Sequence, residues 1–391
     1  MGIVSPIGVG INAFWNSLLN GAYGIKPLSS PFLTNKFQYT QGGEINDELF
    51  MHPLKKIDKA ASYMLAAAQE AFLHAKLTPS PFFPQEDIGI VLGTNFGNQT
   101  ALESLMETDK GSPSTNKAIK QNISFEGCTN LIAKELGCGG PKSTLSLSCS
   151  SGAAVIAYAA FLIRMGIAPC FIAGGYDIIS KFSWAGLSAL KTMTTDKLRP
   201  FDKQRNGTIF SEGAAAVIIE ELEHAIRRGA SILAEVLGCS MNNNAFHMTA
   251  PDKNGEGMAN AMQMALNDAN LPPEKIEHIN SHGTGTKHND LAETLAIKQV
   301  FGKHAYNIPI NSIKSMTGHM MGAAGTVEAI ATILSIINGW IPPTINYEQK
   351  DPECDLDYVP NKARQQRIKV AISNSAGIGG NNSSIILGVY E

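Results

Sequence analysis

The sequence predicts an α/β fold made of two similarly built halves, and three observations carry that expectation. Apolar blocks of strand character alternate with blocks of helix character along the chain, the pattern of mostly buried sheets covered by helices. A strand, a run of small residues and an apolar helix occur twice, as STLSLSCSSGAAVIAYAAFLIRMG from Ser143 and as IPINSIKSMTGHMMGAAGTVEAIATILSIING from Ile308. The chain has 391 residues, long for one simple domain, and only 17% are charged, so much of it belongs in a core or an interface.

Taken in order, the first helix expected is Asp58–Lys76, followed by the short apolar run Ile88–Gly93 (IGIVLG), which reads as a buried strand. Thr144–Ser148 and Cys170–Gly174 read as strands with a helix, Ser151–Met165, between them. Strands at Ala214–Glu220 and Ala234–Cys239 follow, and the boundary between halves falls near 221–232, giving units of about 1–225 and 226–391. The second half offers strands at Ile276–Ser281, Ile308–Asn311, Lys369–Asn374 and Ser384–Val389. Its helices are expected at Gly257–Ala269, Asp290–Phe301 and Ala323–Asn338. Two polar, proline-bearing segments, Thr195–Gly207 and Ile341–Pro360, read as surface loops.

Composition narrows the function. A net charge of −3 argues against a protein that binds nucleic acid mainly through phosphate contacts. No apolar run reads as a transmembrane helix and nothing at the start resembles a signal peptide, so no membrane insertion and a cytoplasmic setting are expected. The six cysteines are scattered with no C-x-x-C pair, which disfavours a zinc site or a disulfide framework.

Four stretches gather reactive residues at strand ends. Cys149 closes a strand and precedes Ser150, Ser151, Gly152 and Ala153, residues too small to cover it. The N-terminus of a helix favours a thiolate and lowers a thiol pKa from about 8.5 to between roughly 3.5 and 7.5. On position alone, a nucleophile and a buried structural thiol are equally good readings. His282 lies in the turn NSHGTGT with the hydroxyls of Thr284 and Thr286. Lys314 and His319 lie in IKSMTGHMMGAAG, and SNSAGIGGNNSS, residues 373–384, offers glycines for close backbone approach. Two histidines in glycine-rich turns suit service to a thiol or to a developing oxyanion, and no third ligand at metal spacing stands near either.

In this order, these stretches resemble the condensing enzymes of fatty-acid and polyketide synthesis, the elongating (type II) β-ketoacyl-acyl-carrier-protein synthases of the thiolase superfamily. The similarity runs from MGIVSPIGVGINAFWNSLLNG through RPFDKQRNGTIFSEGAAAVIIEELEHAIRRGA to the glycine-rich end. It implies a five-layered αβαβα fold and a reaction in which an acyl chain moves to Cys149 and condenses with a malonyl group as CO2 leaves. It assigns His282 and His319 to decarboxylation, with Lys314 and Glu328 beside them. It assigns Thr284 and Thr286, with Ala376 and Ile378, to the substrate and its pantetheine arm. The backbone N–H groups of Cys149 and Ala376 are implied as the oxyanion hole, and Lys55, Lys56 and Lys191 as the surface for an acidic acyl carrier protein. A solvated face is nearly as good a reading of those three lysines. The resemblance also implies a homodimer or a heterodimer with a related chain, and no metal or redox cofactor.

The chain departs from the family at two places. The family pattern Asn-Ser-Phe-Gly-Phe-Gly-Gly becomes Asn374-Ser375-Ala376-Gly377-Ile378-Gly379-Gly380. Family members use the first Phe as a gate beside the nucleophile, so Ala376 implies more room there. Family members also carry an apolar strand ahead of MGIVSP, which implies that the recorded start omits it. A thiolase, which shares the fold, normally has a second cysteine where Ala376 stands. A non-catalytic chain-length partner usually lacks the nucleophile, against which Cys149 and both histidines argue.

Overall fold

The strands of the computed structural model sort into two sheets built to one plan; residues 1–29, 37–46, 50, 59–77, 84–108 and 124–391 are described. The first sheet contains β1 (Gly2–Ser5), β2 (Gly8–Val9), β3 (Ile88–Gly93), β4 (Lys142–Leu145), β5 (Cys170–Asp177) and β6 (Gly213–Glu220), in the order β2-β1-β6-β5-β3-β4. The second contains β7 (Glu235–Asn243), β8 (His278–Asn280), β9 (Ile310–Asn311), β10 (Val370–Gly377) and β11 (Asn381–Gly388), in the order β9-β8-β10-β11-β7. Read from β4, the pairings of the first sheet run parallel, parallel, antiparallel, antiparallel as far as β1. Read from β9, those of the second run the same way. The repeat seen in the sequence is therefore a repeat of topology, strand for strand.

Helices α3 (Ser151–Arg164) and α6 (Ala324–Asn338) fill the space between the sheets. Val155 and Ile156 of α3 and Ile330 and Leu334 of α6 share one core with Val91 and Phe171 of the first sheet and Ile385 and Leu387 of the second. Helix α1 (Ile11–Leu19) adds Phe14 and Leu18 to this core. Helix α2 (Lys59–His74) covers the other face of the first sheet, packing Tyr63, Met64 and Ala67 on Ile90, Ile172 and Ala214. Helices α4 (Glu256–Asp268) and α5 (Lys287–Phe301) cover the second with Met262, Leu266 and Ile297 against Ile279, Ile372 and Ile386. Neighbouring residues such as Ile90 and Val91, or Ile385 and Ile386, point into different cores. Both faces of each sheet are buried, which is why the strands read as continuous apolar runs rather than alternating ones. The result is five layers, αβαβα.

Position between two sheets also explains the composition of α6. The stretch Met321–Asn338 is long and apolar enough to cross a membrane, but most of it is buried inside the protein. A helix with apolar neighbours on every side has no polar face to keep. The two central helices cross at glycines. A Cβ on Gly325 would fall 2.3 Å from the Ala153 nitrogen, and one on Gly152 would fall 2.7 Å from the Gly322 oxygen. Thr326 Oγ1 donates to the Gly152 carbonyl at 2.8 Å across the crossing.

Some expected elements shift. The strand expected over Thr144–Ser148 is Lys142–Leu145, because the chain leaves the ladder to turn at Ser148, whose φ is +52°. The strand expected over Ile308–Asn311 pairs only at Ile310–Asn311, since Pro309 has no N–H to give. Neither expected loop is a surface loop throughout. Leu198, Phe201, Asp202 and Arg205 are buried, with Asp202 accepting the amides of Gln204, Glu348 and Gln349 and Phe201 stacked on Tyr358 at 4.0 Å. Thr344, Cys354, Tyr358 and Val359 of the second segment are buried as well. The acids and arginines of these segments satisfy one another, so polarity does not mean exposure here.

Candidate active site

Cys149 sits on an elbow between β4 and α3. The left-handed φ at Ser148 throws the chain back on itself, and three hydroxyl interactions hold the turn. Ser150 Oγ donates to the Leu147 carbonyl at 2.7 Å, while Ser151 Oγ donates to the Ser148 carbonyl at 2.6 Å and accepts the Leu147 N–H at 2.8 Å. The side chains after the cysteine are thus spent on backbone, and the thiol points away from them at the start of α3. Burial pushes this thiol up to about 11, outweighing the Lys314 charge, the Asn95 side chain and the Ile378 amide, which all favour the thiolate. The lowering expected from the helix N-terminus is therefore overridden, because Cys149 is only 6% exposed.

His282 and His319 come from the second half, one after β8 and the other ahead of α6, and their rings meet edge to face at 5.5 Å between centroids. Each is fixed by its backbone. The His282 and Gly283 amides donate to the Glu293 carboxylate at 2.7 and 2.8 Å. The His319 amide donates to the Ile209 carbonyl at 2.8 Å, and its ring lies on Phe210 at 5.3 Å. The tautomers follow from the partners of Nδ1. His319 Nδ1 accepts the Met321 N–H at 3.1 Å, and His282 Nδ1 faces the Lys314 ammonium at 3.4 Å, so both rings carry their proton on Nε2. Burial first, and the Lys314 charge second, hold both imidazoles well below their usual value. Both are neutral donors.

Lys314 is 1% exposed and satisfies its three donors on Glu328 Oε1, the His282 carbonyl at 2.6 Å and His282 Nδ1. Burial raises the Glu328 carboxyl to about 7 against the pull of Lys314. The charge of Lys314 acts on Cys149, His282 and His319 alike, and its ammonium is bonded to Glu328, so four residues lie within reach of one buried ammonium. Thr284 and Thr286 share a hydrogen bond at 2.9 Å on the turn that follows His282. Lys191 is exposed, while Lys55 and Lys56 lie outside the described residues.

Ala376 is placed differently from the expectation. It lies within the β10 ladder opposite Asn382, and its methyl joins the core beneath α4 and α5, beside Met258 and Met262. The residue that packs on the nucleophile is Gly377, where a Cβ would fall 3.1 Å from the Cys149 nitrogen. The Ile378 backbone, the first residue past the strand, favours the Cys149 thiolate. The missing ring at 376 thus leaves its space near His282 and Glu293, in a cavity of about 10 Å³, and not beside the thiol. A far larger cavity, about 900 Å³, opens near Met1, Ile156 and Val236 and includes no predicted site residue.

Sequence reasoning missed four residues that hold this site. Asp290 and Glu293 lie three apart on α5, and the acids there accept the amides of the His282–Gly285 turn. Their signal was available, since carboxylates one turn apart after a glycine-rich turn suit its free N–H groups. Asp177, at the end of β5, accepts from Thr94 Oγ1 and the amides of Asn95, Phe96 and Gly322. The Asn95 side chain favours the Cys149 thiolate. Nothing local in the sequence marks these two. Among the described residues, no cluster of three or more His, Cys, Asp or Glu is arranged for a metal ion.

A thiol on a strand-to-helix elbow and two neutral imidazoles, all under the charge of one buried lysine in a topological repeat, define a condensing acyltransferase of thiolase-like fold. Comparison with known proteins narrows this class. The N-terminal domain of β-ketoacyl synthases matches residues 1–225 and the C-terminal domain matches residues 233–348. The chain belongs to the β-ketoacyl synthase family. It is 38% identical over 405 residues to a 3-oxoacyl-[acyl-carrier-protein] synthase 2 of Synechocystis, covering 100% of this chain and 97% of that protein. It is 37% identical over 406 residues to the ketoacyl synthase alpha subunit of the tetracenomycin polyketide synthase of Streptomyces glaucescens, covering 99% and 95%. Among solved structures it superposes with a TM-score of 0.92, at 33% identity and with 100% and 98% coverage, on a type II polyketide acyl-carrier protein in complex with its ketosynthase bound to the hexaketide. The ishigamide ketosynthase/chain length factor follows at 0.90 and 35%, with the same coverage.

Proposed function

We propose that Cys149 takes an acyl chain from an acyl carrier protein and that the enzyme condenses it with a malonyl group on a second carrier, within fatty-acid or specialised polyketide synthesis. The observation that carries this reading is the pair of buried, neutral Nε2–H imidazoles, His282 and His319, grouped with Cys149 around Lys314. In the first step the Cys149 sulfur attacks the carrier thioester, and the proton lost from the thiol ends on the departing pantetheine thiol. In the second, malonyl loses CO2, and its electron pair becomes an enolate whose oxygen accepts from both imidazoles. The enolate carbon attacks the Cys149 thioester. The oxygen charge then rests on the backbone N–H groups of Cys149 and Ala376, and collapse expels the Cys149 thiolate, which regains a proton. Every electron pair moves between substrate and side chain, so the reaction calls for no metal or redox cofactor. Thr284 and Thr286 are the hydroxyls offered to the pantetheine arm.

A carrier protein is supported as partner by the relatives that act with one, and exposed Lys191 suits its acidic surface. A heterodimer with a related chain has a precedent in the ishigamide ketosynthase/chain length factor, and a homodimer is the other arrangement proposed. Six free cysteines suit a reducing, cytoplasmic setting. A purely chain-length-setting partner is disfavoured by an assembled nucleophile and histidine pair.

Mass spectrometry after incubation with acyl carrier proteins of several chain lengths tests the reading. An acyl adduct on Cys149, absent from Cys149→Ala, and release of CO2 from malonyl carrier protein are expected. Failure of every acyl carrier protein to label Cys149 overturns it.

A further inference from the structure

One buried carboxylate joins the two halves of the chain at the histidine turn. Asp177 ends β5 and is fully buried. From its own half it accepts Thr94 Oγ1 at 2.7 Å, the Asn95 N–H at 2.9 Å and the Phe96 N–H at 3.1 Å. From the other half it accepts the Gly322 N–H at 2.7 Å. Each of these donors is neutral. A buried carboxylate is costly unless donors satisfy it, and this set is complete only when the two halves meet in register. Gly322 lies next to the residue that sets the His319 tautomer. His319 Nδ1 accepts the Met321 N–H at 3.1 Å, the bond that leaves the ring proton on Nε2. Met321 makes that bond from a left-handed backbone, φ +50°, which a side chain of its size rarely adopts. Strain of this kind persists where the surroundings over-determine it. Here they act at Gly322. A Cβ on Gly175 would fall 2.4 Å from the Gly322 oxygen, and one on Gly322 itself 2.6 Å from Asp177 Oδ2 and 2.9 Å from the Thr94 Cα. The residue is seated on β5, and its N–H is held by Asp177.

We propose that Asp177 is a positioning residue for His319: by holding the Gly322 N–H it keeps Met321 in its left-handed conformation, with the Met321 N–H on Nδ1 and the Nε2–H left for the enolate oxygen. It acts through the peptide between Met321 and Gly322 and touches no substrate. The position calls for a carboxylate rather than the isosteric amide, because every neighbour donates and an amide would turn its own N–H groups toward one of them. This inference rests on the role of His319 in decarboxylation.

NMR of the full-length protein with 15N-labelled histidine reads the tautomer of His319, whose signals are assigned by their loss in His319→Ala. The parent is expected to show Nε2 protonated and Nδ1 as a hydrogen-bonded acceptor. In Asp177→Asn the Nδ1 acceptor signal is expected to be lost. The kcat for CO2 release from malonyl carrier protein is expected to fall about tenfold with KM unchanged, the effect of one lost hydrogen bond to a charged group. Asp177→Glu, which keeps the charge, is expected to recover part of both. Thr94→Val removes a different bond to the same carboxylate, so a lower unfolding midpoint with parental tautomer and kcat is expected. A merely structural Asp177 would give that Thr94→Val pattern in Asp177→Asn, and this result overturns the proposal. Should Asp177→Asn not fold, Gly322→Ala, whose methyl meets Asp177 Oδ2, displaces the same N–H and is judged by the same two measurements. Parental CO2 release from His319→Ala would instead overturn the underlying reading of the histidine.

Discussion

At the scale of single residues, Lys314 is the group on which the site's electrostatics turn. Its ammonium is buried and held by Glu328 and by His282 twice. Its charge acts with burial to keep both histidines neutral, and it is the leading influence drawing the Cys149 thiol down. The sign for the histidines is plain. A depressed pKa preserves the neutral Nε2–H donor as pH falls, so decarboxylation of malonyl carrier protein should show no acid limb near the usual imidazole value of about 6.5. Removing the charge weakens that depression while burial continues, so in Lys314→Met the acid limb should move to higher pH. The same variant leaves Glu328 buried without its partner, a loss of about 3–5 kcal/mol. The double variant Lys314→Met/Glu328→Gln should recover most of that stability and none of the pH profile. Denaturant unfolding and CO2 release measured across pH separate the two effects. A profile that does not move in Lys314→Met would show that burial alone sets the histidines.

At the scale of elements, legibility in the sequence followed locality. The strand Ile88–Gly93 is where its unbroken apolar run places it, and the helix beginning at Ser151 starts where the small residues do. Residues within one motif, Cys149, His282, Lys314 and His319, were readable because each motif carries its own turn and small-residue signature. The Lys314–Glu328 pair was reached through family resemblance and is close in sequence, one turn and a helix start apart. Asp177 and Asn95 were not legible, because an acid at a strand end and an amide in a loop gain meaning only when the folded sheet brings them to the elbow. The crossing of α3 and α6 gives the element-scale prediction. The methyl added by Gly325→Ala would fall 2.3 Å from the Ala153 nitrogen, so the helices must separate, at a cost of about 1–3 kcal/mol for overpacking. Because α3 begins one residue after the Cys149–Ser150 turn, the displacement reaches the nucleophile. A lower unfolding midpoint and slower acylation of Cys149 are expected together, and an unchanged midpoint would show that the crossing has room to spare.

At the scale of the whole molecule, the two halves repeat one topology but do not each own a core. The central core takes Val155, Ile156 and Val217 from the first half and Ile330, Leu334 and Ile385 from the second, so cutting the chain between β6 and β7 would expose both sets. The site is divided in the same way, with Cys149, Asn95 and Asp177 on one side and His282, Lys314, His319 and the Ile378 amide on the other. Each half does have a private core on its outer face, beneath α2 in the first and beneath α4 and α5 in the second. Two outcomes are therefore distinct in advance: private cores that sustain separate units, or a shared core that makes one. The largely buried helix α6 decides the expectation, because its Val327, Ile330 and Leu334 share one core with Val155, Ile156 and Val217 of the other half of the chain. Exposing that surface costs about 25 cal/mol for each Å² of apolar area, far more than a half of this size has in reserve. Urea unfolding followed by tryptophan fluorescence and by far-UV circular dichroism should give one coincident transition for the whole chain. Residues 1–225 and 226–391 expressed separately should each fail to unfold cooperatively and should recover a cooperative transition, with Cys149 acylation, only when mixed. Two separated transitions in the intact chain, or a cooperative transition in either half alone, would show that the repeat still consists of two independent units.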